Sequence, residues 1–304
     1  MLLGTSLRAM GPRDEAAIAA ELAALSTAEI VSALGAKGLS PLLRALVAGA
    51  ARGPSRRLGR ALARFDALIG EVGIARAAQV TLRSFGARVE VDGAVPSRGP
   101  LLVVTNHPGA YDALAALAAL RREDVALVAA DRAFLRAMPA LSKHLVFVDD
   151  ARAFGRLAGL RRALAWLAEG RALVQFGAGA IEPDARFVAE GDPLLGAWSN
   201  GTGVLASRAA QLEASIVPAF VSGVHSGRAK RLPIVRWAER RGITTLAPLI
   251  QATVPGFRDV VVSVRIGVPV ERSAALAGAT PAEGTRVLRA AVAALGARSQ
   301  KSSG

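Results

Sequence analysis

The chain has 304 residues, carries 38 Lys+Arg against 24 Asp+Glu for a formal net charge of +14, and is 52% hydrophobic, a composition far from that of disordered proteins. It has no cysteine, which excludes a disulfide scaffold, a thiol nucleophile, an iron–sulfur cluster and a cysteine zinc site; three histidines, His107, His144 and His225, are too few for a histidine-rich metal site, and no metal is expected. Arginine supplies 34 of the 38 cations, scattered apart from the run Arg52, Arg56, Arg57, Arg60 and Arg64, so charge alone does not choose between nucleic acid, anionic lipid and phosphate-bearing ligands.

From Asp14 to about Gly86 the chain is rich in Ala and Leu, with charges at helical spacing and punctuation near Gly38, Pro41 and Gly53-Pro54. The pattern predicts three or more helices. Arg56 to Phe85 places Leu58, Leu62, Phe65, Leu68, Ile69 and Val72 at intervals of three or four, with arginines on much of the opposite face. A basic amphipathic helix results, read first as a core helix with a solvated face and second as a membrane-surface helix.

After Gly86 the period changes. Arg88 to Asp92 alternates like a strand, Gly93 to Pro100 is turn-rich, and Leu101 to Thr105 is a short apolar run suited to a buried strand. Further strands are expected at Val125–Ala129, Leu145–Val148, Ala172–Phe176, Ile216–Val221 and Val260–Ile266. Helical stretches separate most of them, at Tyr111–Arg122, Arg152–Glu169 and Gly201–Leu212. This alternation predicts an α/β fold, a mixed, largely parallel sheet flanked by helices, preceded by an N-terminal helical region. The expected organisation is a helical region over 1–86, offering a membrane or acyl-chain face, an α/β domain over 87–297 and a disordered tail over 298–304. Charges interrupt every apolar stretch before the roughly 18 residues of a membrane span, and the N-terminus has no signal-peptide pattern, so the expected location is cytoplasmic.

One stretch carries chemistry: Val103-Val104-Thr105-Asn106-His107-Pro108-Gly109-Ala110-Tyr111-Asp112, where an apolar strand ends at a histidine and a helix follows. With the helix starting near Pro108 to Ala110, Asp112 lies about one turn in, within reach of the imidazole. A carboxylate on one ring nitrogen fixes the tautomer and leaves the other nitrogen to take a proton from an attacking hydroxyl. The plainer reading has His107 capping a strand and Asp112 complementing a helix dipole.

Asn106, His107 and Asp112 resemble the first motif of the glycerolipid acyltransferase superfamily, Asn-His, four residues and Asp, and the chain is similar to a divergent member of it. Three later blocks follow in the family's order. Leu145 to Asp150 resembles its second motif, with Asp150 where an arginine is expected and Arg152 the nearest substitute. Leu173 to Pro183 resembles the Phe-Pro-Glu-Gly-Thr-Arg turn, with Gly177 and Ala178 for the Pro and Glu, and Ala180 and Ile181 for the Thr and Arg. Ile216-Val217-Pro218-Ala219 resembles the strand with an embedded proline.

The resemblance implies an acyltransferase that moves a fatty acyl group from acyl-CoA or acyl carrier protein to a hydroxyl of a glycerolipid-like acceptor. His107 would be the general base and Asp112 its orienting partner. The substrate would be bound by Asn106, Gly109, Arg152, Phe176, Gly177, Gly179, Glu182 and Pro218. No cofactor beyond the thioester co-substrate is implied. The partners are the thioester donor, the lipid acceptor and an anionic membrane surface at the inner face of the membrane, met through Arg52, Arg56, Arg57 and Arg60. The missing motif arginines open the question of acceptor headgroup, since an arginine fork is the natural phosphate partner. The glycine turn would direct N–H groups at an anion or developing oxyanion, and Glu182 would either take over acceptor binding or stabilise that turn. Two alternatives stand beside this reading: an inactive lipid-binding protein of the same fold, and a nucleic-acid-binding protein, for which 4% aromatic residues leave little base stacking. Gly201-Thr202-Gly203 is read as helix capping and packing rather than a dinucleotide site, His144 as a surface histidine, and His225, with Lys230 and Arg231 beyond it, first as an exposed loop histidine and second as a group that binds a phosphate of the acyl carrier or lipid headgroups.

Overall fold

The computed structural model describes residues 12–33, 40–149, 153–243, 246–258, 260–270, 276 and 278–301. The sheet has seven strands: β1 (Arg88–Asp92), β2 (Leu101–Thr105), β3 (Val125–Ala130), β4 (Leu145–Val148), β5 (Ala172–Phe176), β6 (Ser215–Ser222) and β7 (Val261–Ile266), in spatial order β1-β7-β6-β2-β5-β3-β4. Strands β6, β2, β5, β3 and β4 run parallel, β7 is antiparallel to β6, and β1 is parallel to β7. The expected mixed, largely parallel sheet flanked by helices is what the chain forms.

Period-two side-chain alternation splits the strands between two cores. On one face Leu101, Val103, Val174, Val217 and Val221 pack with α3 (Ile74–Ser84), α4 (Asp112–Leu120) and part of α2 (Pro41–Val72). On the other, Leu102, Val104, Leu173, Ile216 and Phe220 pack with α7 (Ala153–Ala168), α8 (Gly201–Gln211) and the C-terminal helix α12 (Pro281–Lys301). All five residues of β2 are buried, as a central strand covered on both faces requires.

The N-terminal region comprises α1 (Pro12–Ala33), α2 and α3. Gly53-Pro54, expected to punctuate, lies inside the continuous helix α2, where packing against α1 offsets the lost backbone donor. The amphipathic stretch expected over Arg56 to Phe85 is instead two helices, because Gly73 takes φ +81° between α2 and α3. Helix α12 continues through Lys301, so residues 298–301, expected in a disordered tail, are helical; no Pro or Gly interrupts the pattern there. Gly203 serves packing: a Cβ there would lie 1.9 Å from the Pro281 carbonyl of α12, and its N–H donates to Thr285 Oγ1 at 3.0 Å. Among the described residues no helix is long and apolar enough to cross a membrane.

Short helices complete the chain order: α5 (Ala133–Arg136), α6 (Pro139–Ser142), α9 (Gly227–Arg231), α10 (Pro233–Glu239) and α11 (Leu246–Thr253). The helix after β2, α4, covers one face and the helix after β5, α8, the other. Neighbouring strands whose helices leave in opposite directions open a crevice at their C-terminal ends. His107 follows directly from one of them.

Candidate active site

Thr105 pairs with Phe176 and Ala219 at the last rung of β2, and the chain then leaves the sheet. Asn106 continues the ladder with its side chain: Nδ2 donates to the Val221 carbonyl at 2.8 Å and Oδ1 accepts the Val221 N–H at 2.7 Å. This two-bond amide clamp fixes where His107 emerges. Next, Gly109 at φ +81° and Ala110 at φ +54° turn the backbone into α4. A non-glycine residue in the left-handed region costs about 1–2 kcal/mol, here stored in the turn that joins the two key side chains. Tyr111 anchors the turn against Phe85, ring centroids 5.5 Å apart, and burial pushes its phenol up to about 12.

Across this turn His107 Nδ1 lies 2.7 Å from Asp112 Oδ2. The same oxygen accepts the Gly109 N–H at 2.8 Å, and Oδ1 accepts the Ala113 N–H at 2.6 Å. An ionised carboxylate only accepts, so Nδ1 carries the proton and Nε2 of the neutral ring keeps its lone pair. Asp112 is buried, whereas the His107 side chain is 28% exposed and its Nε2 has no hydrogen-bond partner among the described residues. Phe176, at the end of β5, packs its ring 4.3 Å from the imidazole, centroid to centroid. Burial alone lowers the His107 pKa, but the hydrogen bond to Asp112, the Asp112 charge and the Glu182 charge outweigh it and leave the pKa raised.

Glu182 is buried and structural. Oε2 accepts the His107 N–H at 3.0 Å, and Oε1 accepts the Gly196 N–H at 2.8 Å and Trp198 Nε1–H at 3.0 Å. With three donors converging on it, this carboxylate clamps the turn, one of the two roles expected for it. The N–H groups of Gly177 and Gly179 donate to Thr105 O at 2.9 Å and Phe176 O at 3.1 Å, so these two are directed into the chain rather than at an anion. Gly177 is small because the Trp198 ring stands 2.4 Å from where a Cβ would be. Pro218 is buried in β6, and its ring carbons approach Gly267; its missing N–H lies on the side where β7 has not yet begun to pair. Its ring packs within the sheet beside Gly267. Arg152 lies outside the described residues.

His225 is the residue that sequence reading placed wrongly. It is 7% exposed, and its Nε2 makes a 3.0 Å bond with the Pro108 carbonyl, next to His107. Asp184 holds its loop by accepting the Gly223 and His225 N–H groups at 2.9 and 3.1 Å, and Gln251 of α11 accepts the Ser226 N–H and donates to the Val224 carbonyl. Burial lowers the His225 pKa, with Asp184 opposing and Lys230 assisting. The partners lie tens of residues away in the chain, so only the polar character of the loop was legible locally. His144 is also half-buried, bonded through Nδ1 to the Val125 carbonyl at 2.9 Å.

A separate groove of about 770 Å³ runs between α1 and α2, lined by alanines of α1 and by Arg52, Arg56 and Arg60. Arg57, expected to face lipid with them, donates to the Thr253 carbonyl of α11 at 3.2 Å.

No family model matches the chain, and no curated protein matches it. Among solved structures it is similar to the 1-acyl-sn-glycerophosphate (LPA) acyltransferase PlsC from Thermotoga maritima, at 18% identity over 78% of this chain and 86% of that one, with a TM-score of 0.43.

Proposed function

We propose that the protein is an acyltransferase in which His107 is the general base and Asp112 orients it, transferring a fatty acyl group from an acyl thioester to a hydroxyl of a glycerolipid-like acceptor. The observation that carries this reading is the 2.7 Å His107–Asp112 pair, with Nδ1–H facing the carboxylate and Nε2 without a partner among the described residues at the crevice. In the reaction the acceptor hydroxyl gives its proton to Nε2 while its oxygen attacks the thioester carbonyl. Collapse of the tetrahedral species breaks the C–S bond, and the imidazolium returns the proton to the departing thiolate. Ester and free thiol are the products, with no covalent enzyme intermediate. Asp112 stabilises the imidazolium, and its bonds to Gly109 and Ala113 keep it in place through the cycle.

The test is thiol release from long-chain acyl-CoA, or from acyl carrier protein, in the presence of a total lipid extract. Lipid-dependent release that vanishes in His107→Ala supports the reading; no release from either donor sinks it. One observation favours a second reading, a lipid-binding protein of the same fold without turnover: the N–H groups of Gly177 and Gly179 are committed to the chain. Under that reading acyl lipid binds without thiol release, and His107→Ala leaves binding unchanged.

A further inference from the structure

The loop that carries His225 leads directly into two short helices whose composition is unlike that of the core. Between Gly227 and Arg241 stand Arg228, Lys230, Arg231, Arg236, Arg240 and Arg241 against the single acid Glu239, a formal charge of +5 within fifteen residues. Helix α10 is two-sided. Val235 and Ala238 are fully buried, whereas Ile234 and Trp237 are 54% and 39% exposed, and Arg241 stacks 4.2 Å from the Trp237 ring centroid. A tryptophan and an isoleucine on one face amid arginines match the headgroup and upper acyl region of a bilayer better than water.

This surface is continuous with the candidate active site. Ser226 caps α9 by accepting the Ala229 N–H at 3.3 Å, one residue after His225, which is bonded to Pro108. Exposed Phe187 lies below Lys230, 5.0 Å from ring centroid to Nζ, and exposed Ile181 stands over Gly109. Both follow β5, so cations and apolar side chains collect at the strand ends where His107 emerges.

We infer that α9 and α10 form the surface by which the protein docks on anionic lipid bilayers, bringing the His107 crevice to the interface. The occupant rests on the acyl-transfer reading, since a glycerolipid hydroxyl must be reached at a membrane; the surface is set by charge and exposure. It is distinct from the arginine row of α2.

Flotation of the full chain with neutral phosphatidylcholine vesicles and with vesicles containing phosphatidylglycerol tests this. Three variants are compared: Ile234→Ser/Trp237→Ser, Arg236→Gln/Arg240→Gln/Arg241→Gln, and Arg52→Gln/Arg56→Gln/Arg60→Gln. All change exposed residues, and unchanged melting temperatures verify folding. The expected result is flotation with anionic vesicles alone, weakened roughly fivefold per cation removed from α10, about a hundredfold for the triple variant, and tenfold or more for the apolar pair. The α2 variant floats like wild type. Flotation of both α10 variants at wild-type levels overturns the inference, as does a loss confined to the α2 variant. Binding to duplex DNA without flotation, reduced by the α10 arginine changes, assigns the surface to nucleic acid and also overturns it. Thiol release measured in parallel separates the two readings: flotation without turnover sinks the enzyme and leaves the docking surface, and turnover without flotation does the reverse.

Discussion

Glu182 and His107 hold each other by two hydrogen bonds across 75 residues of chain: Glu182 Oε2 accepts the His107 N–H at 3.0 Å, and the Glu182 N–H donates to the His107 carbonyl at 2.7 Å. Because the carboxylate also takes Gly196 and Trp198, its removal strands one buried and two part-buried donors. Glu182→Ala is expected to lower stability by about 3 kcal/mol or more, and Glu182→Gln by about 2 kcal/mol, since an amide sets one N–H against a donor. Urea unfolding reads both as a lower midpoint at constant slope; an unchanged midpoint in Glu182→Ala would show that the clamp contributes nothing.

Asp112→Asn reverses the hydrogen-bond logic at Nδ1. An amide N–H facing the ring selects the tautomer with its proton on Nε2, where it cannot act as base. The expected loss in turnover is about 10³–10⁴-fold. His107→Ala should cost as much, and the double variant no more than His107→Ala alone, because the two residues act as a unit. Additive losses in thiol release would contradict this.

The pH dependence separates two histidines. His107 has a raised pKa in the native state, so the acidic limb of turnover is expected above the ordinary histidine value of about 6.5, and lower in Asp112→Asn. Stability from His107 is fully present below the ordinary value and is lost as pH rises through the raised native one. His225 has the opposite sign: the unfolded chain takes up its proton first, so stability from its neutral form is present above the ordinary value and is lost as pH falls. His225→Gln should flatten the acid side of a plot of unfolding free energy against pH. Identical slopes for wild type and variant below pH 6.5 would refute the assignment.

His225 also positions His107 through the Pro108 carbonyl. His225→Leu removes the donor, whereas His225→Gln carries an amide N–H to about the same place. The first is expected to cut turnover about tenfold, with KM little changed, and to shift the His107 titration; the second should restore much of both. With only three histidines in the chain, imidazole resonances report His107 directly. A folded His225→Leu protein with an unshifted His107 titration would show that the contact is structural alone.

Strands were legible because central positions such as Leu101 to Thr105 and Ala172 to Phe176 are apolar on both faces and bounded by turns. The spacing of His107 and Asp112 was legible too, since one helical turn brings them together. What escaped were contacts made across the fold. Nothing near His225 announces Asp184 or Gln251, and nothing near Glu182 announces Trp198. Pro54 misled because local propensity marks a break, while packing of α2 on α1 keeps the helix whole.

Asn106 bonds Val221, His107 bonds Glu182, and Pro108 bonds His225, whose neighbour Ser226 is held by Gln251. Three consecutive residues in the first half of the chain thus wait for segments made much later. On the ribosome, β2 emerges long before the groups that place its histidine, and closing such long loops is slow. A nascent chain halted before β6 holds the His-Asp pair in sequence while two of these partners, Val221 and His225, are still to be made. The geometry around His107 should therefore be completed late in synthesis, once β6 and the His225 loop have emerged.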